Sequence, residues 1–138
     1  MSTVKTGNLQ SLTSGEAPVI KDSSGTEVGQ VCKAWVNFDW ETAGAPIRDS
    51  FNVSSVTDDG VGYFTINFTN NMSNINYAMS GSGGNKNTAA ATNTACNVNI
   101  RCLTTYASMN VAYLKISTTY NDSASYDYYN TCVMIFSN

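Results

Sequence analysis

The chemistry open to this chain is limited first by a missing residue. There is no histidine, so Ser/His/Asp and Cys/His nucleophilic arrangements lack their base and a Cys/His zinc centre lacks its imidazole. Carboxylates occur in three close pairs, Asp39 with Glu41, Asp58 with Asp59, and Asp122 with Asp127, and paired carboxylates are what glycoside hydrolysis uses. Each pair has a simpler local role. Asp58 and Asp59 precede Gly60 in a turn, Asp39 and Glu41 flank a loop after a strand, and Asp122 and Asp127 fall in a polar loop, where aspartate bonds neighbouring backbone. No pair carries a recognisable supporting constellation, so the chain is not expected to be an enzyme. The Asp58-Asp59-Gly60 turn lacks the twelve-residue calcium pattern, and neither a metal nor a cofactor is expected.

The four cysteines, Cys32, Cys96, Cys102 and Cys132, form no CxxC pair and match no zinc spacing. Cys96 and Cys102 share one parity of an apparent strand, roughly 20 Å apart, too far to bridge. They are expected to be buried reduced thiols. The positive signal is the tyrosine cluster Tyr120, Tyr126, Tyr128 and Tyr129, set among Asp, Asn and Ser. Tyrosine offers a flat apolar face and a hydroxyl at low entropic cost, which suits contact with glycans or protein surfaces. The competing expectation is that two or more of these rings pack back on the domain, leaving at least one exposed.

Those residues must be positioned by a chain of 138 residues, long enough for one domain and a short extension. Charged residues are only 12% of it and the net charge is -3, which argues against nucleic acid, since that partner needs clustered Lys and Arg. No stretch approaches the roughly 18 apolar residues of a membrane span, and no apolar core of a signal peptide opens the chain. Membrane insertion is therefore not expected, and synthesis and assembly in a cytoplasm are.

Elements follow from periodicity. Residues 1–30 hold sparse apolar positions (Val4, Leu9, Leu12, Val19, Ile20, Val28) broken by turn residues, so they form either a flexible tail or extended pieces that order against copies of themselves or a partner. From residue 31 onward strands dominate. Cys32–Phe38 puts Ala34, Val36 and Phe38 on one face and the large aromatic Trp35 on the other, as a loop contact or a subunit contact. Ile47–Val56 and Tyr63–Phe68 read as a long hairpin that turns over 57–62, with Ile47, Phe51 and Val53 on one face. Further strands are expected at Ile75–Ser80, Cys96–Leu103 and Val111–Ser117, with 81–88 as a plain glycine-rich loop and 89–91 as the place for a turn of helix. Cys132–Phe136 is apolar on both faces, which places it in a sheet interior or at a subunit boundary; Val133 and Ile135 are candidates for that boundary beside Trp35. The fold class is an all-β antiparallel sandwich at 31–138 preceded by an extended segment at 1–30.

The run Ala34-Trp35-Val36-Asn37-Phe38, then Ile47-Arg48-Asp49-Ser50-Phe51-Asn52-Val53-Ser54-Ser55-Val56-Thr57-Asp58, Gly60-Val61-Gly62 and Tyr63-Phe64-Thr65-Ile66-Asn67-Phe68 resembles a module near the C-termini of bacteriophage tail-fibre proteins, notably those of cyanophages and other marine phages. Asn76-Tyr77-Ala78-Met79 and Cys132-Val133-Met134-Ile135-Phe136 fit the same pattern. The chain departs from it in a shorter loop after Phe38 and in lacking a proline near the turn before Asn76. The resemblance implies a homotrimeric virion fibre, made in the host cytoplasm. Its N-terminal segment would dock on a tail or baseplate protein, and its head domain would meet a host-surface glycan or protein during adsorption. A capsid-decorating or fibre-connecting protein with no receptor is the alternative.

Overall fold

Strict alternation of apolar and polar side chains, with few helix-forming runs, gives strands that each have one face to bury. The computed structural model describes residues 20–39, 46–84, 97–101, 108–119 and 125–137, and the chain divides into two compact units, Met1–Val31 and Cys32–Asn138. Among the described residues no helix forms.

In the first unit, β1 (Ile20–Lys21) pairs antiparallel with β2 (Glu27–Gly29). The Asp22 carboxylate closes the hairpin by accepting from the Ser24 amide at 2.9 Å, the Ser24 hydroxyl at 2.6 Å and the Thr26 amide at 2.9 Å. The Ser24 hydroxyl, and then the Thr26 amide, hold this carboxyl below its usual range.

The second unit is a sandwich of two four-stranded antiparallel sheets. One has the order β4-β3-β10-β7, built from β4 (Ile47–Phe51), β3 (Cys32–Phe38), β10 (Asn130–Phe136) and β7 (Ala78–Gly84). The other has the order β5-β6-β9-β8, from β5 (Val53–Gly60), β6 (Tyr63–Phe68), β9 (Tyr113–Thr119) and β8 (Asn97–Ile100). Ala34, Val36, Phe38, Val133 and Ile135 of the first sheet meet Phe64, Ile66, Phe68, Leu114 and Ile116 of the second in one buried core. Phe38 and Phe64 pack edge to face with centroids 5.4 Å apart. Each such side chain withdrawn from water contributes roughly 1.5–3 kcal/mol. Residues 132–136 lie in the sheet interior between β3 and β7, with Val133 and Ile135 turned to the core and Met134 45% exposed on the other face.

Three local expectations are corrected. Ile47–Val56 is not one strand: Asn52, at φ 54°, breaks it and sends the chain from the first sheet to the second. Its amide side chain fixes the crossing by donating to the Lys33 and Asn70 carbonyls at 3.1 and 3.2 Å and accepting from the Asn70 amide at 2.8 Å. Phe51 therefore lies 55% exposed while Val53 is buried, and the two do not share a face. The hairpin turn is also tighter, since β5 runs to Gly60 and only Val61 and Gly62 separate it from β6.

The third correction is the glycine-rich stretch. Gly81–Gly84 belongs to β7, which starts at Ala78 rather than Ile75. A side chain at Gly83 would run into the Tyr128 ring, and one at Gly81 would come within 2.8 Å of Val98, so the glycines here permit close packing. Residues 1–19, the stretch 89–91, and Cys96, Cys102 and Leu103 lie outside the described residues. Cys32 and Cys132 are free and half-buried thiols.

Candidate functional site

The tyrosine-bearing segment is held to the sandwich by its backbone. Tyr126 N donates to the Thr118 carbonyl at 3.1 Å, and the Thr118 hydroxyl donates back to the Tyr126 carbonyl. Asp127 accepts from the Gly62 amide at 2.7 Å, tying the segment to the β5–β6 turn. Gly62 is required there: its φ is +69°, and a Cβ would sit 2.7 Å from Tyr126 N.

The four candidate tyrosines are not a single exposed cluster. Tyr120 lies outside the described residues. Tyr128 is fully buried, its ring over Gly83 and its hydroxyl donating to the Thr119 carbonyl, so it is a core side chain and cannot touch a receptor. Tyr129 is half-buried beside Arg48, whose guanidinium carbon is 4.5 Å from the ring centroid. Tyr126, at 37% exposure, is the most open of the three described. The boundary candidates also divide. Val133 and Ile135 are 1% exposed within their own subunit's core, because their parity on β10 points inward, and are therefore removed as surface contacts. Trp35 points outward.

Around Trp35 the outer face of the first sheet carries an apolar row, with Lys33, Asn37, Asp49 and Ser82 as its polar neighbours. Register places Phe51, Trp35, Met134 and Ser80 side by side across all four strands, with Phe51 55% and Met134 45% exposed. At one end of this sheet Arg48 reaches across β3. It pairs with Asp39 at 2.9 Å and donates to the Tyr129 carbonyl at 2.8 Å and to Asn130 Oδ1 at 3.0 Å. Asp39 is buried, and Arg48 gives its carboxylate an opposite charge within the fold.

The outer face of the second sheet is polar. It carries Ser55, Thr57 and Asp59 on β5, Tyr63, Thr65 and Asn67 on β6, Tyr113, Lys115 and Ser117 on β9, and Asn97 and Asn99 on β8. Asp59 is the hub: it accepts from Thr65 Oγ1 at 2.7 Å, and lies 3.3 Å from Arg101 Nη1 and 3.8 Å from Lys115 Nζ. Arg101 lies over the Tyr63 ring, 4.3 Å from its centroid, and Lys115 is 5.8 Å from the centroid of Tyr113. Asn67 donates to Ser55 Oγ and Thr57 Oγ1 at 3.1 and 3.0 Å. Sequence alternation gives the outward parity of Tyr63, Thr65 and Asn67, but their partners on β5 and β9 come from strand order, which alternation does not encode. Of the carboxylates, Asp58 and Asp127 each hold a turn amide.

No protein-family profile matches the chain, and no curated protein matches it. Among solved structures it is similar to the phiAB6 tailspike, determined in complex with three-repeated oligosaccharides of Acinetobacter baumannii surface polysaccharide. That likeness has a TM-score of 0.51 at 14% identity and spans 95% of this chain but 30% of the tailspike chain. It supports the all-β fold.

Proposed function

We propose that this chain is a bacteriophage tail component, a virion fibre or spike protein that recognises a saccharide on the host surface. The single observation that carries this is the fold shared along nearly its whole length with part of a phage tailspike whose complex holds surface-polysaccharide fragments. The tail-fibre resemblance of residues 34–68 supports the same reading from sequence. In this reading the chain acts by binding and not by catalysis, and the Met1–Val31 unit docks on a tail or baseplate protein.

We further propose that it works as a homotrimer joined through the apolar row on the outer face of the first sheet. Phe51, Trp35 and Met134 form an in-register row across three strands, and exposed apolar patches of this kind mark association surfaces. Val133 and Ile135, being internal, take no part. Tyr126 and Tyr129 remain candidate contacts at the edge of the sandwich.

The test is an array of purified bacterial surface polysaccharides probed with the labelled protein. Saturable binding to a subset is expected. Binding to none would favour the receptor-free decorating or connecting role.

A further inference from the structure

We propose that the saccharide lies on the outer face of the second sheet, β5-β6-β9-β8, and that it is acidic, carrying carboxylate groups read by Arg101 and Lys115. This rests on the saccharide-binding function proposed above and goes beyond it in naming the surface and the charge class. The rim is a poorer platform, because Tyr128 is internal and Arg48 beside Tyr129 already donates to Asp39, Asn130 and the Tyr129 carbonyl.

Three features point to this occupant. First, charge: on a chain of net charge -3, the described part of this face sets two cations, Arg101 and Lys115, against the one carboxylate of Asp59. Second, donors: Arg101 is held by the Tyr63 ring and by one bond from Nη1 to Asp59, while its Nε and Nη2 donate to none of the described residues. A guanidinium fixed in this way offers a planar pair of donors, the geometry that takes a carboxylate two-point. Third, the surroundings are sugar-like in their demands. Ser55, Thr57, Asn67, Ser117, Asn97 and Asn99 give short hydroxyl and amide groups, and Asn67 donates its amide hydrogens to its two hydroxyl partners, its Oδ1 being the acceptor end.

The dimensions also suit a chain of sugars. Tyr63 faces Ser117 and Asn67 faces Tyr113 across β6 and β9, so the two tyrosines stand four residues apart along the strands, roughly 14 Å. That is the reach of an oligosaccharide, with an aromatic ring near each end, Arg101 over one of them and Lys115 between. Two cations are too few for the phosphate contacts of a nucleic acid, and the described strand positions of this face carry no Phe, Trp, Leu or Met.

The experiment is amide-shift mapping of the isotope-labelled full-length chain titrated with hexamers of galacturonate, hyaluronan and sialic acid, and with maltohexaose as the neutral counterpart. At least one acidic hexamer should shift the amides of Thr65, Asn67, Lys115 and Ser117, with maltohexaose causing little change. Arg101→Gln should weaken that binding about tenfold, or 1.4 kcal/mol. Asp59→Asn, which removes the competing carboxylate, should tighten it; a merely structural part for the Asp59 cluster predicts weakening in both variants and would overturn the proposal. Shifts confined to Tyr126, Tyr129 and Arg48, or equal response to the neutral hexamer, would also overturn it while leaving saccharide binding intact. If a surface polysaccharide binds on the array but displaces no acidic hexamer and moves no amide of this face, the site lies elsewhere; if nothing binds in either assay, saccharide recognition itself fails.

Discussion

Across the first sheet, Phe51, Trp35 and Met134 stand in register on neighbouring strands; across the second, the matching row is Thr57, Thr65 and Lys115. Both rows arise from the same alternation, both lie outside the same core, and they differ only in chemistry. An apolar row lowers its free energy by being covered, whereas the Thr57 hydroxyl and the Lys115 ammonium, on either side of a buried Thr65, keep their hydration until a ligand replaces it bond for bond. The difference teaches that one face is suited to a permanent neighbour and the other to an exchangeable one.

The comparison can be broken most sharply on the apolar side. The double substitution Phe51→Glu and Met134→Glu should lower the association constant at least about a hundredfold, near 2.7 kcal/mol, with the far-ultraviolet dichroism unchanged, because neither side chain belongs to the core. Light scattering across a concentration series measures this; an unchanged mass would show that the apolar row is not the contact.

Next in size is a change that reaches both faces through the interior. Gly83→Ala pushes a methyl group against the Tyr128 ring and should cost about 2 kcal/mol of overpacking, read as a fall in the urea midpoint. Loss of stability without loss of either surface's selectivity is expected, since the ring is a core element and not a contact.

A third test uses pH. Burial pushes the Tyr77 hydroxyl up to about 12 from an ordinary 10.0; the Asn110 amide, donating to the hydroxyl oxygen at 3.3 Å, opposes this, and Tyr113 adds to it. The hydroxyl donates to the carbonyls of Asn110 and Tyr113 at 3.2 and 3.1 Å. With the folded value raised, its contribution is whole below pH 10 and drains away as pH climbs from 10 to 12, because the unfolded chain releases the proton first. Tyr77→Phe should flatten that decline in a pH series of urea unfolding, and an equal decline in both proteins would contradict the assignment.

The smallest effect is expected on the polar face. Lys115→Gln should alter stability by no more than about 0.5 kcal/mol and leave the mass unchanged, while the response to acidic hexamers weakens.

Much of the fold was legible in the sequence because buried strands write their faces by alternation. Cys32–Phe38, Tyr63–Phe68 and Cys132–Phe136 are strands where that pattern is clear. What stayed hidden depended on groups distant in sequence. The break at Asn52 is invisible in an alternation that runs straight through it, since the positive φ is set by bonds to Lys33 and Asn70. Gly81–Gly84 reads as a loop until the Tyr128 ring that fills its space is known. The same ring divides the tyrosine cluster: composition counts aromatics, but only packing says which of them face water. The Arg101–Asp59–Lys115 arrangement was equally out of reach, as it joins residues 42 apart in sequence through a strand order that no local pattern records.

The central claim, that one face is for copies of the chain and the other for a ligand, is tested most directly by the solution mass of the full-length protein, measured by light scattering with and without the Phe51→Glu/Met134→Glu pair. The account predicts three times the mass of the 14.8 kDa chain for the parent and a folded monomer for the variant. A monomeric parent would contradict it.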